Sequence, residues 1–367
     1  MFWNRHSRLL VVLLAAGIAA LTACTSGSDK PSAAAKSSSA APTSASPSPS
    51  PSPKPKPKPK PKPKPKPKPK PPAVNPLTGL GPVPKGPVIG VKIDNTSAAY
   101  PQIGVNDADV VYAEQVEGGL TRLLAVFASH RPSEVGPVRS VRFSDPALLR
   151  QYGKPALAFS GGAAAVVANF ERSGLVDASA GAIPSAYHRA GDRPSPYNLV
   201  ANLQGLTANL HKATGAKDIG MRWALKDPQQ VQKAQTVHGL TGTVGGTPIS
   251  FRWGAKTRRW IRTVDGADLH TASGAAVSTP NVIVQICQVT VDRGDIDAAG
   301  NPSADTKTVG NGAAYVFRDG HMLRGHWTRG NRAAPTVFRD KAGHDLLLHP
   351  GGTWVLLVGK ANGLSIH

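Results

Sequence analysis

The chain has 367 residues, 40% of them hydrophobic and 5% aromatic, with 43 Lys or Arg against 22 Asp or Glu and a net charge of +21. Its two cysteines, Cys24 and Cys287, exclude a disulfide-dense scaffold and a zinc site built from cysteines. The charge alone would suggest a polyanion-binding protein, but residues 1–72 hold 13 of the bases and one acid, which leaves the remainder at about +9.

Arg5, His6 and Arg8 precede an unbroken apolar or small-residue run from Leu9 to Leu21, the pattern of a secretory signal over residues 1–23. Thirteen residues at about 1.5 Å each cannot cross roughly 30 Å of hydrocarbon, so a transmembrane anchor is the weaker reading. The segment Leu21-Thr22-Ala23-Cys24 resembles the lipobox of bacterial lipoproteins, in which the cysteine sulfur receives a diacylglyceryl group and becomes the mature N-terminus. Cys24 is therefore expected to be the lipidation site, palmitate-type acyl chains holding the protein on the outer face of the cell membrane. That leaves Cys287, within "NVIVQICQVTV", as a small buried hydrophobe rather than a reactive thiol.

Residues 24–72 turn to Ser, Ala, Pro and Lys, with Lys-Pro repeats from Lys54 to Lys70, and cannot bury a core. Such a tether is expected to be disordered but extended, spanning about 80 Å from Ser46 to Pro72 at polyproline II spacing. It suits either a plain spacer or electrostatic contact with an anionic cell-wall polymer. Nucleic acid is excluded by the extracytoplasmic address and by the lack of aromatic side chains among the lysines.

Residues 73–215 read as an α/β (α+β) domain with a layered mixed sheet. "VIGVKIDN" is a strand, and "DVVYAEQVEGGLTRLLAVF" a hairpin turning at Gly118-Gly119. "SDPALLRQYG" reads as a helix with Asp145 as N-cap and Pro146 at its first position. A short strand "PALAFS", a turn at Gly161-Gly162, a helix in "AAAVVANFERSG" and an amphipathic helix in "NLVANLQGLTANLHKA" follow. Residues 216–240 read as a linker, and 241–367 as a β-rich domain of strands separated by Gly, Asp and Asn turns.

Four features of the first domain could carry chemistry. The "SGG" between a strand and a helix can hold an anion on backbone amides, or simply turn tightly. Arg122, Arg139, Arg142, Arg189 and Arg193 form a group whose guanidinium forks suit carboxylate or phosphate. They suit structural pairing equally, and a two-residue hairpin loop would bring Glu117 diagonally near Arg122. Asp94 and Asn95 end an apolar strand, where Asp94 could be a base, a metal ligand or a turn residue. The loop "AYHRAGDRPSPYN" gathers His188, Asp192, Arg193 and Asn198. A serine-hydrolase reading needs Ser160 as nucleophile with Asp177 and His188, but Ala158 stands where the nucleophile elbow has glycine. No metal motif is present, and His321 with His326, or His344 with His349, would face opposite sides of a strand.

The order "NPLTGL", "VKIDN", "PQIGVNDADVVYAEQVEGGLTRLLAVF", "GPVRSVR", "SGG" and "DRPSPYNL", with "NVIVQ", "DGHMLRGHWTR" and "PGGTWVLLV" later, resembles the YerB-like lipoprotein family, whose two domains have no known function. The resemblance covers nearly everything from Asn75 to Val358 and implies architecture and address rather than a reaction. It points to Asp94, Asn95, Glu117, Gly118, Gly119, Arg122, Arg139, Arg142, Gly161, Gly162, Arg193 and Asn198. Tyr197 stands where the family pattern has histidine, and Ser160 lies outside that pattern. The expectation is a membrane-anchored extracytoplasmic protein, needing no cofactor and more a binder than an enzyme, that takes an anionic envelope ligand through its arginines. The rivals are a wall hydrolase using Asp94 or Glu117 as base, and an envelope scaffold.

Overall fold

The computed structural model describes residues 74–225, 228–297, 300–360 and 363–367. The expectations for Cys24 and the tether lie outside these residues. Strands β1 (Ile89–Asp94), β2 (Val110–Gln115), β3 (Thr121–Phe127), β4 (Ala156–Ala158) and β5 (Val176–Asp177) form one side of an eleven-stranded mixed sheet. The other side comes from the second half of the chain. The strand Thr353–Val358 pairs in parallel with β2, setting Val110 opposite Thr353 and Tyr112 opposite Val355, and on its far edge pairs in parallel with Asn281–Ile286. Gly310–Arg318, His321–Arg329 and Val337–Arg339 continue outward as antiparallel neighbours. The stretch 216–240 joins in, with Arg222–Trp223 beside Leu347–Leu348 and Gln235–Thr236 beside His321–Met322.

Every residue of β1, of β3 and of Thr353–Val358 is buried, as expected of strands covered on both faces. One face, carrying Ile89, Val91, Ile93, Leu123, Ala125 and Trp354, packs on a second, six-stranded sheet through Leu240, Ile249, Phe251 and Trp260. Edge-on ring pairs Phe251–Trp354 (5.5 Å) and Trp260–Phe317 (5.8 Å) join the two sheets. Leu124, Val126, Tyr112 and Val355 face the other way, onto helices α1 (Ser144–Leu149) and α2 (Ala164–Glu171).

Three local expectations are corrected. Strands β2 and β3 pair with Glu114 opposite Arg122 and Gln115 opposite Thr121, so the loop runs from Val116 to Leu120, not over two glycines alone. The register shifts by one, and Glu117 makes its ion pair with Arg142 rather than Arg122, though it still acts on Arg122 through space. Asp145 lies inside α1 rather than before it, because its carboxylate reaches back to the Arg142 amide at 2.6 Å. The long amphipathic helix is instead a strand, Leu199–Ala201, and a short helix α3 (Leu203–Thr207). Asn202 separates them by accepting the Gly205 amide at 3.0 Å as an N-cap.

Candidate functional site

β1, β2, β4, Asn281–Ile286 and Thr353–Val358 all run in one direction, so their carboxyl ends share an edge. In layered sheets this is where ligand groups gather. The "GPVRSVR" segment threads along it, between the ends of β1 and β4. Asp94 N bonds Pro137 O (3.0 Å), Arg139 N bonds Lys92 O (2.8 Å) and Ser160 N bonds Arg139 O (3.0 Å).

This path brings most of the singled-out residues together. Asp94 is fully buried and faces two guanidiniums, with Arg139 Nε 2.7 Å from Oδ2 and Arg122 Nη1 3.3 Å from Oδ1. Oδ1 also accepts the Thr96 amide at 2.8 Å and its hydroxyl at 2.9 Å. Glu117 accepts Arg142 Nε at 2.5 Å. Asp94 Oδ2 lies 2.7 Å from Arg139 Nε yet is buried without a well-directed hydrogen bond, and Glu117 is paired through one oxygen, so both carboxylates stand against guanidiniums inside the protein.

Behind this row lies a group that sequence reasoning missed. Lys92, Glu114 and Asp145 are wholly buried, and the Lys92 ammonium bonds Glu114 and, at 2.9 Å, Asp145. Ser144 Oγ donates to the second Glu114 oxygen at 2.6 Å. Burial pushes the Lys92 pKa down to about 8, more than the attraction of Asp145 raises it. A lysine flanked by Val91 and Ile93, two residues before Asp94, was the available signal.

The charges of this edge balance, with Lys92, Arg122, Arg139 and Arg142 against Asp94, Glu114, Glu117 and Asp145. Their hydrogen bonds do not. Arg122 Nε is buried with no acceptor. Among the described residues, neither terminal nitrogen of Arg139 has a protein acceptor, and Arg142 spends only Nε and Nη1, the latter on Val141 O at 3.0 Å. Arg139 keeps 23% of its side-chain surface in solvent and lies 5.6 Å over the Tyr197 ring, so tyrosine supplies an aromatic face where the family pattern has an imidazole.

Other residues do different work. Asn95 bonds Thr121 Oγ1 at 2.7 Å and receives Gln102 and Tyr100, a latch between strand ends. Arg193 reaches the Ala99 carbonyl at 3.4 Å, and Asn198 accepts Arg189 at 2.7 Å across its own hairpin. Gly161 takes a φ of +147° at the turn, while Gly162 packs against Val141. The Gly119 carbonyl accepts the Gly246 amide at 2.8 Å, docking the β2–β3 loop on the second sheet. The hydrolase constellation is not assembled. Asp177 caps the Ser179 amide, His188 lies 3.3 Å from Glu134, and no hydrogen bond joins Ser160 to either. Among the described residues no group of three potential metal ligands occurs.

A two-part chain with a shared sheet and a charge-lined strand edge defines a class, and comparison with known proteins gives it a family. Residues 77–218 match "Protein of unknown function (DUF3048) N-terminal domain" and residues 242–355 match the corresponding C-terminal domain; the chain belongs to this family. It is 26% identical over 305 residues to a Bacillus subtilis strain 168 protein named "Putative lipoprotein YerB", covering 79% of this chain and 88% of the relative. The crystal structure of YerB from Bacillus subtilis superposes with a TM-score of 0.67 at 21% identity, over 80% of this chain and 99% of that one. That likeness carries the fold.

Proposed function

We propose that this is a cell-envelope lipoprotein, anchored to the outer face of the membrane through diacylglyceryl-Cys24 and held off it by the Lys-Pro tether. On this reading its folded part binds an anionic group of a wall polymer at the strand edge built by Asp94, Arg122, Arg139 and Arg142. The lipobox-like "LTAC" and the name of the Bacillus relative support the address. The observation that carries the ligand is that both terminal nitrogens of Arg139 and Nη2 of Arg142, on partly exposed side chains, have no acceptor among the described residues. Asp94 and Glu117 fix these forks in place, as a carboxylate- or phosphate-binding site requires.

The test is co-sedimentation of the full chain with insoluble anionic wall polymer. Cys24→Ser blocks acylation, and serines replace the lysines of 54–70 so that the tether does not answer. Arg139→Ala is expected to weaken retention about tenfold with the circular dichroism unchanged. Equal retention of Arg139→Ala and its parent would refute the reading.

A further inference from the structure

At the opposite edge of the sheet, where β2 and Thr353–Val358 begin, lies a cavity of about 340 Å³. Its walls come from Thr78, Leu80 and Gly81 and from residues 105–109, 129–130, 278–279 and 351–354, with Arg259 beside them. Both halves of the chain build it and are fastened around it. Asn106 Nδ2 donates to Ala276 O at 2.9 Å while its Oδ1 accepts the Ser278 amide at 3.2 Å, and Gly351 N donates to Thr78 O at 2.7 Å. The volume falls at the small end of ligand pockets.

Arg259 is the exceptional group here. Nε donates to Ser278 Oγ and Nη2 to Ser278 O, each at 2.8 Å, which pins the guanidinium plane. Among the described residues no carboxylate pairs with it and Nη1 has no protein acceptor. Burial lowers its pKa with no acidic neighbour pulling it back. The buried acid nearby, Asp109, is spent on the Ala128 and Ser129 amides (2.6 and 2.9 Å) and on the Ser129 hydroxyl, and Asp107 at the rim is exposed. A pinned, half-buried cation without a counter-charge is arranged to receive one. Leu80, half exposed, and Trp354 offer an apolar wall alongside.

We propose that this cavity is a second binding site, separate from the arginine edge, for a compact organic acid. Its oxyanion sits on Arg259 Nη1 and its carbon skeleton lies against Leu80 and Trp354. Isothermal titration of the Cys24→Ser full chain with inorganic phosphate, acetate and butyrate at constant ionic strength tests it. Saturable binding is expected, weakened at least tenfold by Arg259→Gln and unchanged by Arg139→Ala. Butyrate outranking acetate and phosphate identifies an apolar carboxylate, and phosphate leading identifies a phosphate ester. Should Arg259→Gln not fold, Leu80→Trp, which fills the mouth and leaves Arg259 in place, must weaken binding to the same degree. Equal affinity in parent and cavity variant, no saturable binding by any probe, or loss through Arg139→Ala instead, overturns the proposal.

Discussion

Lys92 and Asp145 meet at 2.9 Å with no solvent on either side chain, one from the middle of a central strand and the other from the helix that covers it. Glu114 completes the group from the next strand but one. Two carboxylates and one ammonium removed from water are held by each other, by Ser144 and by the Arg142 amide. Lys92→Met strands both acids in the interior. Removing one member of such a buried set costs about 3–5 kcal/mol. Urea unfolding of Lys92→Met is expected to show that loss, and a loss under about 1 kcal/mol would mean the network is not closed as described.

Asp94 governs two arginines at once, so its substitution separates scaffold from ligand site. In Asp94→Asn the carboxamide keeps the volume but not the charge, leaving Arg122 and Arg139 to repel each other. A loss of about 3 kcal/mol is expected, since a buried guanidinium is then uncompensated. Added polyvalent anion should restore part of the lost melting temperature in Asp94→Asn more than in the parent, because it replaces the missing counter-charge. Equal response of the two proteins would place Arg139 out of reach of added anions.

How much of this was legible in the sequence depends on how far apart the partners lie along the chain. β1 and β3 are legible as apolar runs bounded by Asp, Asn and Gly, and the strands of the second half as runs separated by Gly, Asp and Asn turns, but their order in the sheet is not, since Asn281–Ile286 pairs with Gly310–Arg318 and Thr353–Val358. The pairing of β2 with Thr353–Val358 has no local signal, because parallel neighbours some 240 residues apart are matched by burial on both faces alone. The arginines are visible as a group, but the hairpin register depends on the Val116–Leu120 backbone bond, so a two-residue loop offers Glu117 to Arg122 as one alternative where the structure pairs it with Arg142. Lys92 and Glu114 were hidden by their own context. A charged residue inside an apolar strand normally marks an edge, whereas here each is neutralised by partners on other elements.

Gly245 shows why glycines cluster where the two halves touch. It holds φ at +62°, and an added Cβ would stand 2.6 Å from the Gly119 carbonyl that accepts the Gly246 amide. Gly245→Ala meets both a left-handed backbone penalty of about 1–2 kcal/mol and the loss of that bond. The expected destabilisation is about 2–3 kcal/mol, read from the denaturation midpoint. Gly266→Ala, at φ +80° with open space around its Cβ position, should pay the backbone part alone.

Cys287 offers a test of burial by pH. The thiol is 4% exposed, and burial raises its pKa from the ordinary 9.0 to about 12. The folded chain therefore keeps a proton that the unfolded chain releases between those values. The stabilisation is fully present below pH 9 and is lost as pH climbs toward 12, because the native state is then the one that binds more protons. Cys287→Ala lacks this titration. The stability difference between parent and Cys287→Ala should stay flat from pH 6 to about 8.5 and shift against the parent by about 1.4 kcal/mol near pH 10. Iodoacetamide at pH 8 should leave Cys287 unmodified in the native chain and alkylate it in urea. Rapid native alkylation, or a flat difference through pH 10, would show that the core around Ile286 and Val358 opens to solvent.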